Sequence, residues 1–330
     1  MVKSILVVGG AGYIGSHVVN KLSEMELNII IYDKKETKSL QHSKKFAKFI
    51  QGCLSDKDKL DEVFKQYKID AVIHLANYIE VGESVKDPKK YFSNNITNGL
   101  ILLDIMRKNS VNLIVFSSSA AVYGEPEVVP IVEDSKKIPT NPYGHTKLMF
   151  EEILKSYNKA YGMKFVALRY FNAAGADYGG QIGEEHLPET HLIPLILQTA
   201  LGKRKEIYLF GTDYDTPDGT CIRDYVHVND IANAHILALK ALENGDFSAS
   251  YNLGGGEGYS VKEIIKTVEE VTGIKVNVVN KARRLGDPAR LIADYSKIKN
   301  ELSWSPKFNL NEIIKTAWNW HLKIEKVERE

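Results

Sequence analysis

At 330 residues the chain exceeds the size at which one hydrophobic core stops growing, so two lobes are expected. Its 43 Lys and Arg against 42 Asp and Glu leave a net charge of +1, which argues against a nucleic-acid or membrane-surface partner, and no apolar run approaches the ~20 residues of a bilayer span. Met1-Val2-Lys3 leads straight into a strand with no room for a signal peptide, and the two cysteines, Cys53 and Cys221, lie far apart; a reducing, cytoplasmic setting is expected.

The chain opens on the apolar run Ile5-Leu6-Val7-Val8, followed at once by Gly9-Gly10-Ala11-Gly12-Tyr13-Ile14-Gly15-Ser16-His17. This reads as a buried strand, a glycine turn and the first turn of a helix. Gly9, Gly12 and Gly15 remove side chains where the turn is tight, where a pyrophosphate approaches the backbone, and where helix packs on strand. The free N–H groups and positive end of the helix then suit phosphates. Ile29-Ile30-Ile31-Tyr32 forms a second strand ending on Asp33, placed to bind an adenosine ribose and to repel a 2′-phosphate, although Lys34 and Lys35 soften that preference. An ordinary strand-to-helix turn needs none of this ordered set.

Residues 56–68 carry Leu60, Val63, Phe64 and Tyr67 at helical spacing, with Ser55 placed as the cap. Ala71-Val72-Ile73-His74-Leu75-Ala76 is too short an apolar run for a helix and reads as a buried strand. A long helix is expected over residues 88–108, then a strand Leu113-Ile114-Val115-Phe116 running into Ser117-Ser118-Ser119, and a later strand over residues 165–170. Alternating strand and helix implies a doubly wound parallel sheet whose ligands lie beyond the carboxyl ends of its strands. Residues 175–188 are glycine-rich and aperiodic, a loop to the smaller lobe; residues 228–242 read as a helix returning to the first. Leu253-Gly254-Gly255-Gly256 reads as a turn rather than a second phosphate loop, because Ser260 and Glu263 form a capping box for the next helix. The charged tail, residues 323–330, is expected to be solvated and frayed.

Tyr143-Gly144-His145-Thr146-Lys147 follows Asn141-Pro142 at the start of a helix reaching about residue 161. Four residues apart, the phenol and the ammonium share a helix face and can approach one ligand together. Lys147 and a positive nicotinamide ring pull the phenol toward neutrality, so that Tyr143 takes a proton from a hydroxyl while the carbon's hydride leaves. Alone, this spacing also fits two solvated surface residues; Ser119, at the end of a central strand, weighs toward the chemical reading.

With Val81-Gly82-Glu83-Ser84, residues 117–124, Leu168-Arg169-Tyr170-Phe171-Asn172, residues 218–225 and Arg283-Arg284-Leu285-Gly286-Asp287-Pro288, these residues resemble the extended short-chain dehydrogenase/reductase family over essentially the whole chain. The resemblance implies an α/β architecture: a Rossmann-type doubly wound parallel sheet with a smaller C-terminal α/β substrate lobe. It implies an NAD-binding part over residues 1–172, with a return segment at about 225–250, and a UDP-sugar lobe over residues 173–330. The implied activity is NAD-dependent 4-epimerisation of UDP-sugars, interconverting UDP-glucose and UDP-galactose through a 4-keto sugar, in a homodimer with no nucleic-acid or membrane partner. Ser119, Tyr143 and Lys147 become the implied catalytic trio. Implied NAD contacts are Gly9, Gly12, Tyr13, Ile14, Gly15, Asp33, Leu54, Leu75, Ala76, Asn94, Lys147 and Tyr170. Besides Ser119 and Tyr143, the implied substrate contacts are Asn172, His191, Leu192, Phe210, Arg223, Arg284 and Asp287, the two guanidinium forks suiting a diphosphate.

The chain also departs from the family pattern. Cys53 stands where an aspartate usually reaches the adenine, Asn77-Tyr78-Ile79 where many members carry a lysine, His191 where asparagine is common, and Leu291 where bulk gates an N-acetyl group. Asp213, Asp215, Asp218 and Gly219 suggest a calcium loop, but the register fails at Pro217. Glu184, Glu185, His186, Glu189 and His191 lack the paired helical or strand spacing of ligands, so no metal is expected, and His74 reads as a satisfied core histidine. A 4,6-dehydratase needs an acid and a base where Ala120-Ala121 stand; the remaining rivals are a UDP-N-acetylglucosamine 4-epimerase and a non-enzymatic NAD-sensing regulator.

Overall fold

Successive side chains of a strand point to opposite faces, so an uninterrupted apolar run can settle only where both faces are covered. A computed structural model describes residues 2–186, 188–245, 248–284 and 287–329. Its first half comprises β1 (Ser4–Val8), α1 (Tyr13–Leu22), β2 (Asn28–Asp33), α2 (Lys38–Ser43), β3 (Lys48–Gln51), α3 (Lys57–Tyr67), β4 (Ala71–His74), α4 (Val81–Lys86), α5 (Pro88–Tyr91), α6 (Asn98–Lys108), β5 (Leu113–Ser119), α7 (Pro142–Tyr161) and β6 (Lys164–Tyr170). Then follow β7 (Asn172–Ala174), α8 (Leu192–Ala200), β8 (Ile207–Phe210), β9 (Ile222–His227), α9 (Val228–Asn244), β10 (Ala249–Leu253), β11 (Gly258–Ser260), α10 (Val261–Thr272), β12 (Val278–Lys281), β13 (Arg290–Leu291), α11 (Ser296–Leu302) and α12 (Leu310–Arg329).

Seven strands form one parallel sheet in the order β3-β2-β1-β4-β5-β6-β10. Ile5, Val7, Ile31 and Ile73 face α1 and α9, while Leu6, Val8, Ile30 and Val72 face α3, α6 and α7. The order of strands reverses between β1 and β4, and in sheets of this kind ligands bind beyond the carboxyl ends of the strands at that reversal. β9 carries a second, smaller sheet, pairing with β7, β11 and β13, while β8 pairs with β12. Beside them α8, α10 and α12 share a third apolar core. Trp304 packs on the α9 face of the large sheet, its Nε1 donating to the Asp230 carbonyl at 2.9 Å.

Local chemistry revises three expectations. Asp56, not Ser55, caps α3, its Oδ1 accepting from Lys59 N at 3.1 Å; the Ser55 hydroxyl turns instead to Cys53 Sγ at 3.1 Å. The helix expected over residues 88–108 is three pieces, α5 and α6 joined by a π-helical stretch at Phe92–Thr97. The tail does not fray as expected: α12 runs to Arg329, anchored by buried Ile313, Ile314, Ala317 and Trp320, and Glu330 lies outside the described residues. The capping box at Ser260 and Glu263 forms as read.

Helix α7 is fixed at both ends and in its middle. Asn141 Oδ1 accepts from Gly144 N at 2.9 Å, Pro142 occupies the first turn where no donor is needed, and Gly162 ends the helix at φ +70°. Midway, buried Glu151 accepts from Arg169 of β6 at 2.7 and 3.0 Å and from Ser118 of β5 at 2.5 Å. Arg169 spends its other donors on Tyr123 Oη and the Glu133 carbonyl. Removing one partner leaves the other as an uncompensated buried charge. Glu151→Ala is therefore expected to lower the unfolding free energy by about 3–5 kcal/mol in urea denaturation. A loss below about 1 kcal/mol would mean that water reaches the arginine.

Candidate active site

Beyond the carboxyl end of β1 the backbone turns at Gly9, which holds φ +83° and donates to the Tyr32 carbonyl at 2.9 Å. A Cβ on Gly9 would lie 2.6 Å from Ala76 N, and one on Gly15 would lie 2.2 Å from the Gly9 carbonyl. These two glycines are required by packing. At Gly12 the nearest atom would be 3.4 Å away, and the helix begins there without any side-chain cap, so its first N–H groups face the crevice side. The Asp33 carboxylate closes the turn from β2, accepting from Ala11 N at 3.1 Å and Lys35 N at 3.3 Å. Lys34 is turned away to Tyr78 Oη at 2.8 Å. Just past β4, both ends of the Asn77 amide are buried without a partner among the described residues. An open glycine turn, an uncapped helix start, an acid and an orphaned amide are the donor and acceptor set that a dinucleotide fits.

The ends of β5 and β6 lie side by side, with Ser119 opposite Tyr170. Tyr143, in the first turn of α7, lies near enough to Ser119 for that hydroxyl to favour its ionised form, and Ser119 Oγ accepts from Ala121 N at 3.1 Å. One helical turn further, Lys147 donates to the Ser117 carbonyl at 2.5 Å and sits 5.7 Å from the centre of the Tyr143 ring. Burial pushes the Tyr143 phenol up to about 12, the nearby Ser119 hydroxyl only partly opposing it. Burial also pushes the Lys147 ammonium down to about 7, against the pull of Glu151. The expectation that Lys147 lowers the phenol is thus not met by the protein alone. Removal of both groups from water outweighs their mutual attraction at this distance.

Across the crevice β7 and β9 pair in register, and Asn172 Nδ2 donates to the Asp224 carbonyl at 2.8 Å. Arg223 of β9 is ion-paired with Asp287, and the Arg284 guanidinium lies 4.0 Å over the Phe210 ring. Of these five expected substrate contacts, Arg223 and Asp287 form one pair and Arg284 and Phe210 another, while Asn172 is bonded to the strand that carries Arg223.

Residues 5–254 match the NAD dependent epimerase/dehydratase family. The chain belongs to that family. It is 49% identical over 326 residues to a UDP-glucose 4-epimerase of Streptococcus mutans, covering 98% of each chain. Among solved structures it is similar to the UDP-glucose 4-epimerase of Brucella ovis in complex with NAD, at TM-score 0.92 and 44% identity over 96% of this chain and 97% of that one. It is also similar to the UDP-Glc/GlcNAc 4-epimerase of Campylobacter jejuni, at TM-score 0.85 and 41% identity over 97% and 99%.

In this epimerase/dehydratase chain most expected residues converge. Gly9, Gly12, Tyr13, Ile14, Gly15 and Asp33 border the turn, Tyr13 Oη reaching the Gly175 carbonyl at 2.7 Å. Leu75 and Ala76 follow β4, buried Leu54 follows β3, and the buried Tyr170 hydroxyl pairs with His235 at 2.7 Å. Asn94 is not the residue bonded across the site. Its neighbour Asn95 is buried and bridges the Tyr78 backbone to Thr146 Oγ1 at 3.1 Å; only its position in the helix marks it, which the sequence pattern did not single out. Arg283 pairs with Asp213, as a surface charge should, and Asp218 is spent on Thr220 and Ser260, so the acids of the rejected calcium loop face separate partners. Leu285 and Gly286 lie outside the described residues.

Two readings change. His74 is a core residue, but both ring nitrogens lack a hydrogen bond among the described residues, and burial pushes it down to about 3. The His191 imidazole, expected at the substrate, turns to Glu184 and Glu189, and Glu185 leaves for Lys38. Loop closure rather than regular spacing brings Glu184, His186, Glu189 and His191 together.

The glycine geometry separates packing from ligand access. Gly15→Ala drives a Cβ into the Gly9 backbone and is expected to cost at least ~1–3 kcal/mol in urea unfolding. Gly12→Ala, which meets no close atom, is expected to stay within ~1 kcal/mol of the parent. Equal losses in the two would refute the assignment.

Proposed function

We infer that the chain is an NAD-dependent isomerase that interconverts UDP-glucose and UDP-galactose by inverting C4 of the sugar. The observation that carries this reading is Tyr143 beside Ser119, with Lys147 one turn below and 5.7 Å from the phenol ring, at the carboxyl edge of a sheet whose switch point presents a dinucleotide-shaped turn. Family membership and the UDP-glucose 4-epimerases at 44–49% identity support it.

Gly9, Gly12, Tyr13, Ile14 and Gly15 hold the pyrophosphate of NAD, Asp33 its adenosine ribose, and Leu54, Leu75, Ala76, Tyr170 and the segment at Asn94 and Asn95 enclose it. NAD held there would supply the acceptor, and then the donor, for the C4 hydride, which would return to the opposite face of the sugar. Tyr143 Oη takes the 4-hydroxyl proton and later gives it back, and Ser119 holds the same sugar oxygen. For the phenol to act as a base near neutral pH, its upward shift must be reversed by positive charge, which the oxidised nicotinamide and protonated Lys147 provide. Arg223 and Arg284 hold the diphosphate while Asn172, Leu192, Phe210, Asp287 and the backbone of His191 bound the pocket, so the sugar turns without leaving.

Residues 1–172, joined by the return segment at 225–250, form the NAD part, and residues 173–330 the UDP-sugar part. Val85, Phe92, Met149 and Tyr161 expose apolar surface on α4, the helical run at 88–108 and α7, which supports a homodimer through those helices. Near-zero net charge, two unpaired cysteines, and the lack of any helix among the described residues long and apolar enough to cross a membrane support a cytoplasmic enzyme with no nucleic-acid or membrane partner. The Campylobacter jejuni relative makes N-acetylated UDP-sugars the second reading.

Incubation with UDP-galactose is expected to yield UDP-glucose, with Tyr143→Phe slowing turnover ~10²–10⁴-fold while retaining NAD. Gly12→Ala is expected to lose NAD without losing stability. Equal conversion of UDP-N-acetylgalactosamine would favour the second reading, and no conversion of either sugar a regulator. Parent-like turnover of Tyr143→Phe would remove the phenol from the mechanism.

A further inference from the structure

The loop between β7 and α8 carries a side-chain cluster that epimerisation does not call on. Glu184, His186, Glu189 and His191 each turn one ligand atom toward a common centre, all within 4.8 Å of one another. His191 Nδ1 lies 2.9 Å from Glu184 Oε1 and 3.1 Å from Glu189 Oε1. His186 Nδ1 lies 3.3 Å from Glu184 Oε1 and 3.7 Å from Glu189 Oε2. Ligand atoms held tetrahedrally at the ~2.0–2.1 Å bonds of zinc are about 3.3 Å apart, the middle of this range.

Two further observations favour a cation over simple ion pairing. Both imidazoles aim at one oxygen of a carboxylate that is only 6% exposed, and His186 Nδ1 is buried without a hydrogen bond among the described residues. The two glutamates are also braced from outside. Glu189 Oε1 accepts from Thr190 N and His191 N, each at 2.8 Å, and the backbone of Glu184, though not its carboxylate, is held by Trp320 Nε1, which donates to its carbonyl at 2.9 Å. Such second contacts orient ligands for a metal.

We propose that Glu184, His186, Glu189 and His191 form a closed, four-ligand structural site for a divalent transition cation, zinc foremost. Two imidazole nitrogens and two carboxylate oxygens match zinc in donor type and number, and four protein ligands leave no open position for chemistry. The His186 ring meets the Tyr13 ring edge-on at 6.4 Å, so the cation ties this loop to the first turn of α1.

The test is calorimetric titration of untagged, chelator-treated protein with Zn²⁺ and, separately, an absorption spectrum with Co²⁺. Expected are one ion per chain and the intense visible absorption of four-coordinate Co²⁺. His186→Ala and Glu189→Gln are expected to weaken Zn²⁺ binding by at least ~100-fold, beyond what loss of an outer contact costs. Glu185→Ala, whose carboxylate faces Lys38, should bind as the parent does. Circular dichroism reports folding, and the Co²⁺ spectrum of the unaltered chain decides the matter if a variant fails to fold. Absence of stoichiometric binding of either ion to the parent, or binding indifferent to His186→Ala, would overturn the site and leave a histidine–glutamate ion-pair network. Neither result depends on epimerase turnover.

Discussion

Two charges withdrawn from water, Glu151 on α7 and Arg169 on β6, fix the position of the groups proposed to meet the substrate. Tyr143, Lys147 and Glu151 recur every fourth residue and form one stripe along the helix. The lowest member of that stripe is held by Arg169 and by Ser118, three bonds from two adjacent strands. A helix held there cannot turn, and a slip of one residue would rotate the stripe by about 100°. Ser119, next to Ser118 on the same strand, then meets the phenol without further adjustment. The desolvation cost of the pair is offset because every donor of the guanidinium named above has an acceptor.

The burial that fixes this geometry also sets the electrostatics. A phenol pushed up to about 12 and an amine pushed down to about 7 both resist charge, so the protein holds a proton acceptor that is quiet by itself. Only a cation brought against the phenol makes it a base. The crevice at the strand reversal, with its open glycine and uncapped helix, is where a positively charged ring would be delivered. On the proposed mechanism, cofactor binding and base activation are thereby one event, and a sugar hydroxyl would not be deprotonated before the hydride has somewhere to go.

What could be read from the sequence was local. The glycine turn, the buried strands, the helix start after Asn141-Pro142, the Ser260 cap and the Tyr143–Lys147 spacing each depend on residues within one or two turns of each other, and each appears in the fold. Contacts that depend on chain closure were out of reach. Nothing near Glu151 announces Arg169, and nothing in the spacing of Glu184, His186, Glu189 and His191 announces that a loop folds them onto one centre. Small geometric choices escaped for another reason. Ser55 and Asp56 are both good caps, and which one wins depends on where Cys53 directs the chain; Asn94 and Asn95 exchange places because a π-helical stretch shifts the face each presents.

If the hydride leaves C4 and returns to it within one closed crevice, it never mixes with solvent protons. The most direct check is to epimerise UDP-galactose carrying deuterium at C4 in ordinary water and to follow the label in the product by mass spectrometry and NMR. Full retention of deuterium at C4 of UDP-glucose is the expected result. Its replacement by hydrogen from water would mean inversion by proton removal and return at carbon, and would contradict the mechanism.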